Sequence, residues 1–145
     1  MIKYYKIFLS LFFLFGFSNL TLAKESFFKE GLKLFDAKKY NDAKFFFERS
    51  IVFDPKHANS YLYLAKIYNE KEDQQKEEKN LETTLLIEPS NEEAILMSMK
   101  IALEKSNYSK VKELSKRFIS VCKKLCDENK NILESLENIE PKNES

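Results

Sequence analysis

The sequence is poor in residues that break a chain: two glycines and three prolines in 145 residues. An all-β sandwich or barrel needs a turn roughly every 8–12 residues, so that class is excluded. Gly16 and Gly31 lie too far apart to write G-x-G-x-x-G or G-x-x-x-x-G-K, which removes the phosphate-cradling loops. His57 is the one histidine, so H-E-x-x-H and histidine-based metal clusters are excluded as well. No sign of charge dominates: 24 Lys+Arg face 23 Asp+Glu. A nucleic-acid binder usually carries a strongly basic domain, so no nucleic-acid partner is expected. The many carboxylates show no constrained general acid/base pair. The chain therefore reads as not an enzyme, with no cofactor and no metal.

What is present begins with a targeting pattern. Lys3 and Lys6 precede an uncharged, Leu/Phe-rich run from Ile7 to Phe17, and Ser18 to Ala23 ends in Thr-Leu-Ala. Positive n-region, apolar h-region and small-residue cleavage site are the parts of a secretory signal. Residues 1–23 are read as a signal peptide and the protein as exported, periplasmic if bacterial. Cleavage after Ala23 would leave 122 residues, one domain's worth. The alternative is an uncleaved membrane anchor: Ile7 to Ala23 is 17 uncharged residues, at the short edge of the ~20 that span a bilayer.

Beyond Ala23 the sequence repeats. Pro55 and Pro89 are 34 residues apart and close matching stretches, Ile51-Val52-Phe53-Asp54 and Leu85-Leu86-Ile87-Glu88; Tyr40 and Tyr108 are 68 apart. In the first repeat Phe27, Gly31 and Leu34 fall at i, i+4, i+7 on one helix, and Ala43, Phe47 and Ser50 do the same on a second. Proline then stops the helix. The second repeat has Tyr61, Leu64, Ala65 and Tyr68, then Leu81, Thr84 and Pro89, with Glu77 where a small residue is expected. Its charged run, in which Glu72 and Lys76 would form an i,i+4 pair, reads as a solvated face. The third repeat is degenerate: Ile95, Met99 and Ala102, then Tyr108, Val111 and Phe118, with no closing proline. Ile132, Leu133, Leu136 and Ile139 follow as a helical stripe before Pro141.

A 34-residue period of paired helices resembles the tetratricopeptide repeat (TPR) family. The resemblance implies an all-α, TPR-like solenoid of three antiparallel helix pairs plus a C-terminal capping helix. The TPR domain spans 24–140, with repeats at about 24–57, 58–91 and 92–121 and the cap at about 127–139; residues 141–145 are expected to be a disordered tail. In this family one face of each first helix lines a binding groove. Carried over, the groove positions are Phe28, Leu32 and Phe35, then Leu62, Lys66 and Asn69, then Leu96, Lys100 and Leu103. The first triplet lies at i, i+4, i+7, one residue offset from the packing face, so one helix shows two apolar faces where a surface helix needs one. Either a partner or the next repeat covers the second face. The family's carboxylate-gripping subclass does not fit, because Phe28 and Leu32 stand at the Lys and Asn positions and Glu93 replaces a later Lys. An amphipathic helix or apolar extended segment of a protein fits better.

Three further features bear on partners. Seven of the thirteen phenylalanines lie between Phe27 and Phe53, and Phe45-Phe46-Phe47 cannot all face inward; Phe45 is expected outside. Such a patch reads as a homodimer interface or as packing against the N-terminal segment. Glu92 to Cys126 carries eight basic and four acidic residues, and Asp127 to Ser145 two and six. Lys110, Lys112, Lys116, Arg117, Lys123 and Lys124 could meet anionic headgroups in peripheral membrane association, or form a solvated face. Finally, Cys122 and Cys126 are an even pair beyond the signal, read as a disulfide at the turn into the cap. The expected function is a non-catalytic protein–protein interaction adaptor or scaffold of the cell envelope. The alternatives are a thiol-disulfide protein using Cys122 and Cys126, and a homodimerising assembly element.

Overall fold

The computed structural model describes residues 25–139. The signal reading, the tail from 141 and Pro141 lie outside the described residues. Among these residues there are seven helices and no strand: α1 (25–36), α2 (Tyr40–Phe53), α3 (Ala58–Glu70), α4 (Gln74–Ile87), α5 (Glu92–Glu104), α6 (Tyr108–Val121) and α7 (Cys126–Ile139). None is long and apolar enough to cross a membrane. The chain divides into two compact units, up to Tyr63 and from Leu64, with the boundary inside α3.

In the first unit α1 and α2 run antiparallel. Phe27 near the start of α1 stacks on Phe53 at the end of α2, and Phe35 near its end meets Tyr40 at the start of α2. The close contact is at Gly31, which packs on the fully buried ring of Phe47. In the second unit the core joins Ile95, Leu96, Met99 and Ala102 of α5 to Val111, Leu114 and Phe118 of α6 and to Ile132 and Leu136 of α7. Ile132 and Leu136 of the α7 stripe, with Leu133 beside them, thus cover the last apolar face of the repeats as a solenoid cap must, whereas Ile139 of that stripe is exposed.

The turns repeat as strictly as the helices. Lys38, Glu72 and Ser106, each 34 residues from the next, have φ of 58°, 57° and 55°. The amide that follows each one donates to the carbonyl of Leu34, Tyr68 or Ala102 at 2.8, 2.9 and 2.8 Å. This is the Schellman closure of a helix C-terminus, usually made with glycine. The next helix begins at once. Asp73 caps α4 and Asn107 caps α6, their side chains accepting from the amides of Lys76 and Lys110; Lys39 supplies no such cap to α2. Glu72 therefore sits in a turn and not on a helix, and Lys76 pairs with Asp73 at 2.5 Å. The charged run is not wholly solvated either: Glu77 is buried, 4% exposed.

Second helices end alike too. The amides of Asp54, Glu88 and Cys122 donate to Ser50, Thr84 and Phe118. Prolines 55 and 89 follow the first two. In the third repeat Lys123 stands there instead, and the turn is held by other means. Cys122 and Cys126 are joined by a disulfide, their Cα atoms 5.4 Å apart. The carboxylate of Glu92 accepts from the amides of Lys124 and Leu125 at 3.0 and 2.9 Å.

Candidate functional site

In the first unit Phe28, Leu32 and Phe35 form a half-buried row along α1. Tyr63 of α3 organises it: its ring lies 5.7 Å from that of Phe28, 5.2 Å from Phe35 at a right angle and 5.2 Å from the buried Phe47. Phe28 also meets the His57 ring edge-on at 4.6 Å, and His57 Nδ1 lies 2.7 Å from the Ser60 hydroxyl. Edge-to-face geometry of this kind fixes ring orientation and adds about 0.5–1.5 kcal/mol per pair beyond area burial. Tyr63 was not among the expected groove residues; its neighbour Leu62 was, and Leu62 is only 4% exposed. The helix presents the tyrosine at this face and turns the leucine into the core.

In the second unit the remaining positions divide. Leu96 is buried in the cluster that includes Ile132 and Leu136, and Leu103 packs against the same cluster, so the chain itself covers both. Lys100 is exposed. Lys66 of α3 reaches Glu93 of α5 at 2.7 Å, and its side chain is largely covered. The Asn69 amide donates to both carboxylate oxygens of Glu77, at 3.2 and 3.3 Å. Lys66 and Asn69 of this face are therefore matched within the chain, which agrees with the absence of a carboxylate-gripping set. Burial pushes the Glu77 carboxyl up from its ordinary value; the Asn69 hydrogen bond opposes this, and the charges of Glu104 and Glu78 reinforce it. Glu92 is shifted the other way, held down chiefly by the backbone amides of Lys124 and Leu125.

The side of α5 opposite Leu96, Lys100 and Leu103 floors a cleft of about 610 Å³ between α4 and α6. Elsewhere on the surface, Phe45 is exposed while Phe46 is half-buried and Phe47 buried. The Arg49 guanidinium lies 4.7 Å from the Phe27 ring centre and 5.5 Å from that of Phe45, within cation–π range. Among the described residues no group of three or more His, Cys, Asp or Glu is arranged to hold a metal ion.

No protein-family model and no curated protein matches the chain. Solved structures do. The Arabidopsis OM64 TPR domain superposes with a TM-score of 0.73 at 18% identity, covering 82% of this chain and 98% of that one. The Sgt2 TPR domain from Aspergillus fumigatus gives 0.66 at 17% identity, with 79% and 77% covered. The Yersinia enterocolitica type III secretion chaperone SycD, solved with a peptide of the translocator YopD, gives 0.68 at 13% identity, with 79% and 90% covered. The chain thus has the all-α TPR fold.

Proposed function

We propose that the protein is a non-catalytic protein–protein interaction adaptor that seats an amphipathic helix or an apolar extended segment on the aromatic row of α1. One observation carries the reading: Phe28, Leu32 and Phe35 stay half-exposed on one helix face while Tyr63 holds two of them in fixed orientation. Rigid aromatic anchors with apolar surface still open are what dominate binding when a partner desolvates them. SycD, of the same fold, was solved with a peptide of another protein, and so was the first TPR of Spaghetti (RPAP3), bound to an HSP90 peptide. The matched pairs Lys66–Glu93 and Asn69–Glu77 favour an apolar ligand over an acidic terminus.

We place the adaptor in the cell envelope, on the signal-like residues 1–23 and on the disulfide, which suits an oxidising compartment. Intact mass of protein from the envelope fraction should correspond to a chain starting at Lys24; a full-length mass in the membrane would support the anchor. The interaction itself is tested by a photo-crosslinking amino acid placed in cells at Leu32, with Lys79, which is exposed on α4, as control. Adducts from position 32 that are absent at 79 support the reading, and equal labelling from both opposes it. Self-assembly through α2 is the second reading, favoured by Phe45 and Val52, which lie at i and i+7 and are both exposed. Light scattering of the purified chain separates it from the adaptor.

A further inference from the structure

The cleft on the far side of α5 has an apolar floor and walls of unlike charge. Leu85, Ile101 and Leu114 contribute to the floor, and Leu86 at its lining is 83% exposed. The α4 wall carries Glu78 and Glu82, and Glu78 is already matched by Lys105 at 2.6 Å. The α6 wall carries Lys110 and Arg117. Lys110 reaches Glu113 only at 3.7 Å. Arg117 places both Nε and Nη2 on the carbonyl of Pro89, at 3.0 and 2.6 Å. A neutral carbonyl fixes the guanidinium in position without offsetting its charge. Lys110 and Arg117 are two turns apart, about 10.5 Å along the helix at 1.5 Å per residue. The cleft thus has an apolar floor and two basic groups along one wall, of which Arg117 is held in place.

We propose that this cleft docks an amphipathic helix of a partner protein, its apolar stripe on the floor and two acidic residues, seven apart, facing Lys110 and Arg117. The site lies on the side of α5 opposite Lys100 and does not depend on the α1 row. The charge pattern selects the occupant. A membrane surface is disfavoured because the floor is recessed between two helices. A second copy seated in the cleft instead would appear as concentration-dependent mass in light scattering, and that result would overturn the proposal.

The test uses a blocked 18-residue helical peptide with leucines on one face and glutamates on one flank, beside a control in which lysines replace the glutamates. Calorimetry and amide chemical shifts are measured on the full chain. The glutamate peptide should bind at least tenfold tighter than the lysine peptide, with shifts concentrated in α4, α5 and α6 and affinity falling as salt rises. Lys110→Glu should weaken the glutamate peptide and strengthen the lysine one. Leu86→Ala should weaken binding with an unchanged melt, because Leu86 contributes little buried surface to the fold. Equal affinity for the two peptides, or shifts concentrated on α1, would overturn the proposal. So would phosphatidylglycerol vesicles captured through Lys110 and Arg117 while the glutamate peptide stays free.

Discussion

An added Cβ at Gly31 would lie 2.6 Å from one carbon of the Phe47 ring and 2.8 Å from another, and that ring is fully buried. Gly31→Leu is therefore expected to overpack the α1–α2 contact and lose about 3 kcal/mol, while Lys33→Leu, on the exposed side, stays within about 0.5 kcal/mol. Chemical denaturation of the two variants checks this, and equal midpoints would refute the register. That contact was legible because a small residue at i+4 between Phe27 and Leu34 has a packing meaning. The period set Glu77 at the packed position equivalent to Ala43, although the charged run around it reads as solvated. Glu77 is buried because Asn69, eight residues back across the Schellman turn, donates to both its oxygens. Two carboxylates now give opposite pH signatures. The folded-state pKa of Glu77 is raised, so its contribution favours the fold below the ordinary glutamate range and is lost as pH rises through the folded value. Glu77→Gln should stabilise the protein at neutral pH relative to the parent, and the gain should vanish in acid. The folded-state pKa of Glu92 is lowered, so its contribution is present above the ordinary value and is lost as pH falls through the folded one. Glu92→Gln should destabilise at neutral pH, with the difference again vanishing in acid. Melts of both variants from pH 3 to 7 check the two signs together.

At the scale of elements, the helices were readable from spacing and the turns were not. Lys38, Glu72 and Ser106 carry no turn signature, yet each adopts the left-handed conformation that glycine adopts without penalty. The position is set by where the helix must close, and the side chain there is tolerated because it is exposed. Ser106→Gly should therefore raise stability by about 0.5–1 kcal/mol, against a loss of about 1 kcal/mol for Lys116→Gly in the exposed middle of α6. A loss in both variants would mean that the turn geometry is not as described. The last turn differs because Lys123 occupies the place of Pro55 and Pro89. Here the disulfide and Glu92 hold what proline holds elsewhere. The cysteine pair was legible, whereas the reach of Glu92 across 32 residues was not. A loop closed over a sequence separation of 4 removes little entropy from the unfolded chain, so reduction should cost no more than about 2 kcal/mol. A melt with and without reductant checks this, and outright unfolding on reduction would assign the disulfide a far larger role.

At the scale of the molecule, the 34-residue period was enough to foresee three helix pairs and a cap, because each repeat buries the same positions. The binding face was less legible, since periodicity places residues on a helix but does not say which side the chain itself covers. Leu62 and Leu96 stand at positions equivalent to Phe28 and are nonetheless buried, at 4% and 6% exposure. Tyr63, one residue on, supplies the surface instead. The cleft walled by α4 and α6 drew no attention in the sequence, because its floor and walls come from three helices and from residues as far apart as Glu78 and Arg117. The central claim is that the aromatic row of α1 is the partner site. Its most direct test is calorimetry of the crosslinked partner, once purified, against Leu32→Glu and Lys79→Glu, with a thermal melt of each variant. The account predicts at least tenfold weaker binding, about 1.4 kcal/mol, for Leu32→Glu with the fold retained, and unchanged affinity for Lys79→Glu. A folded Leu32→Glu that binds as tightly as the parent would contradict it.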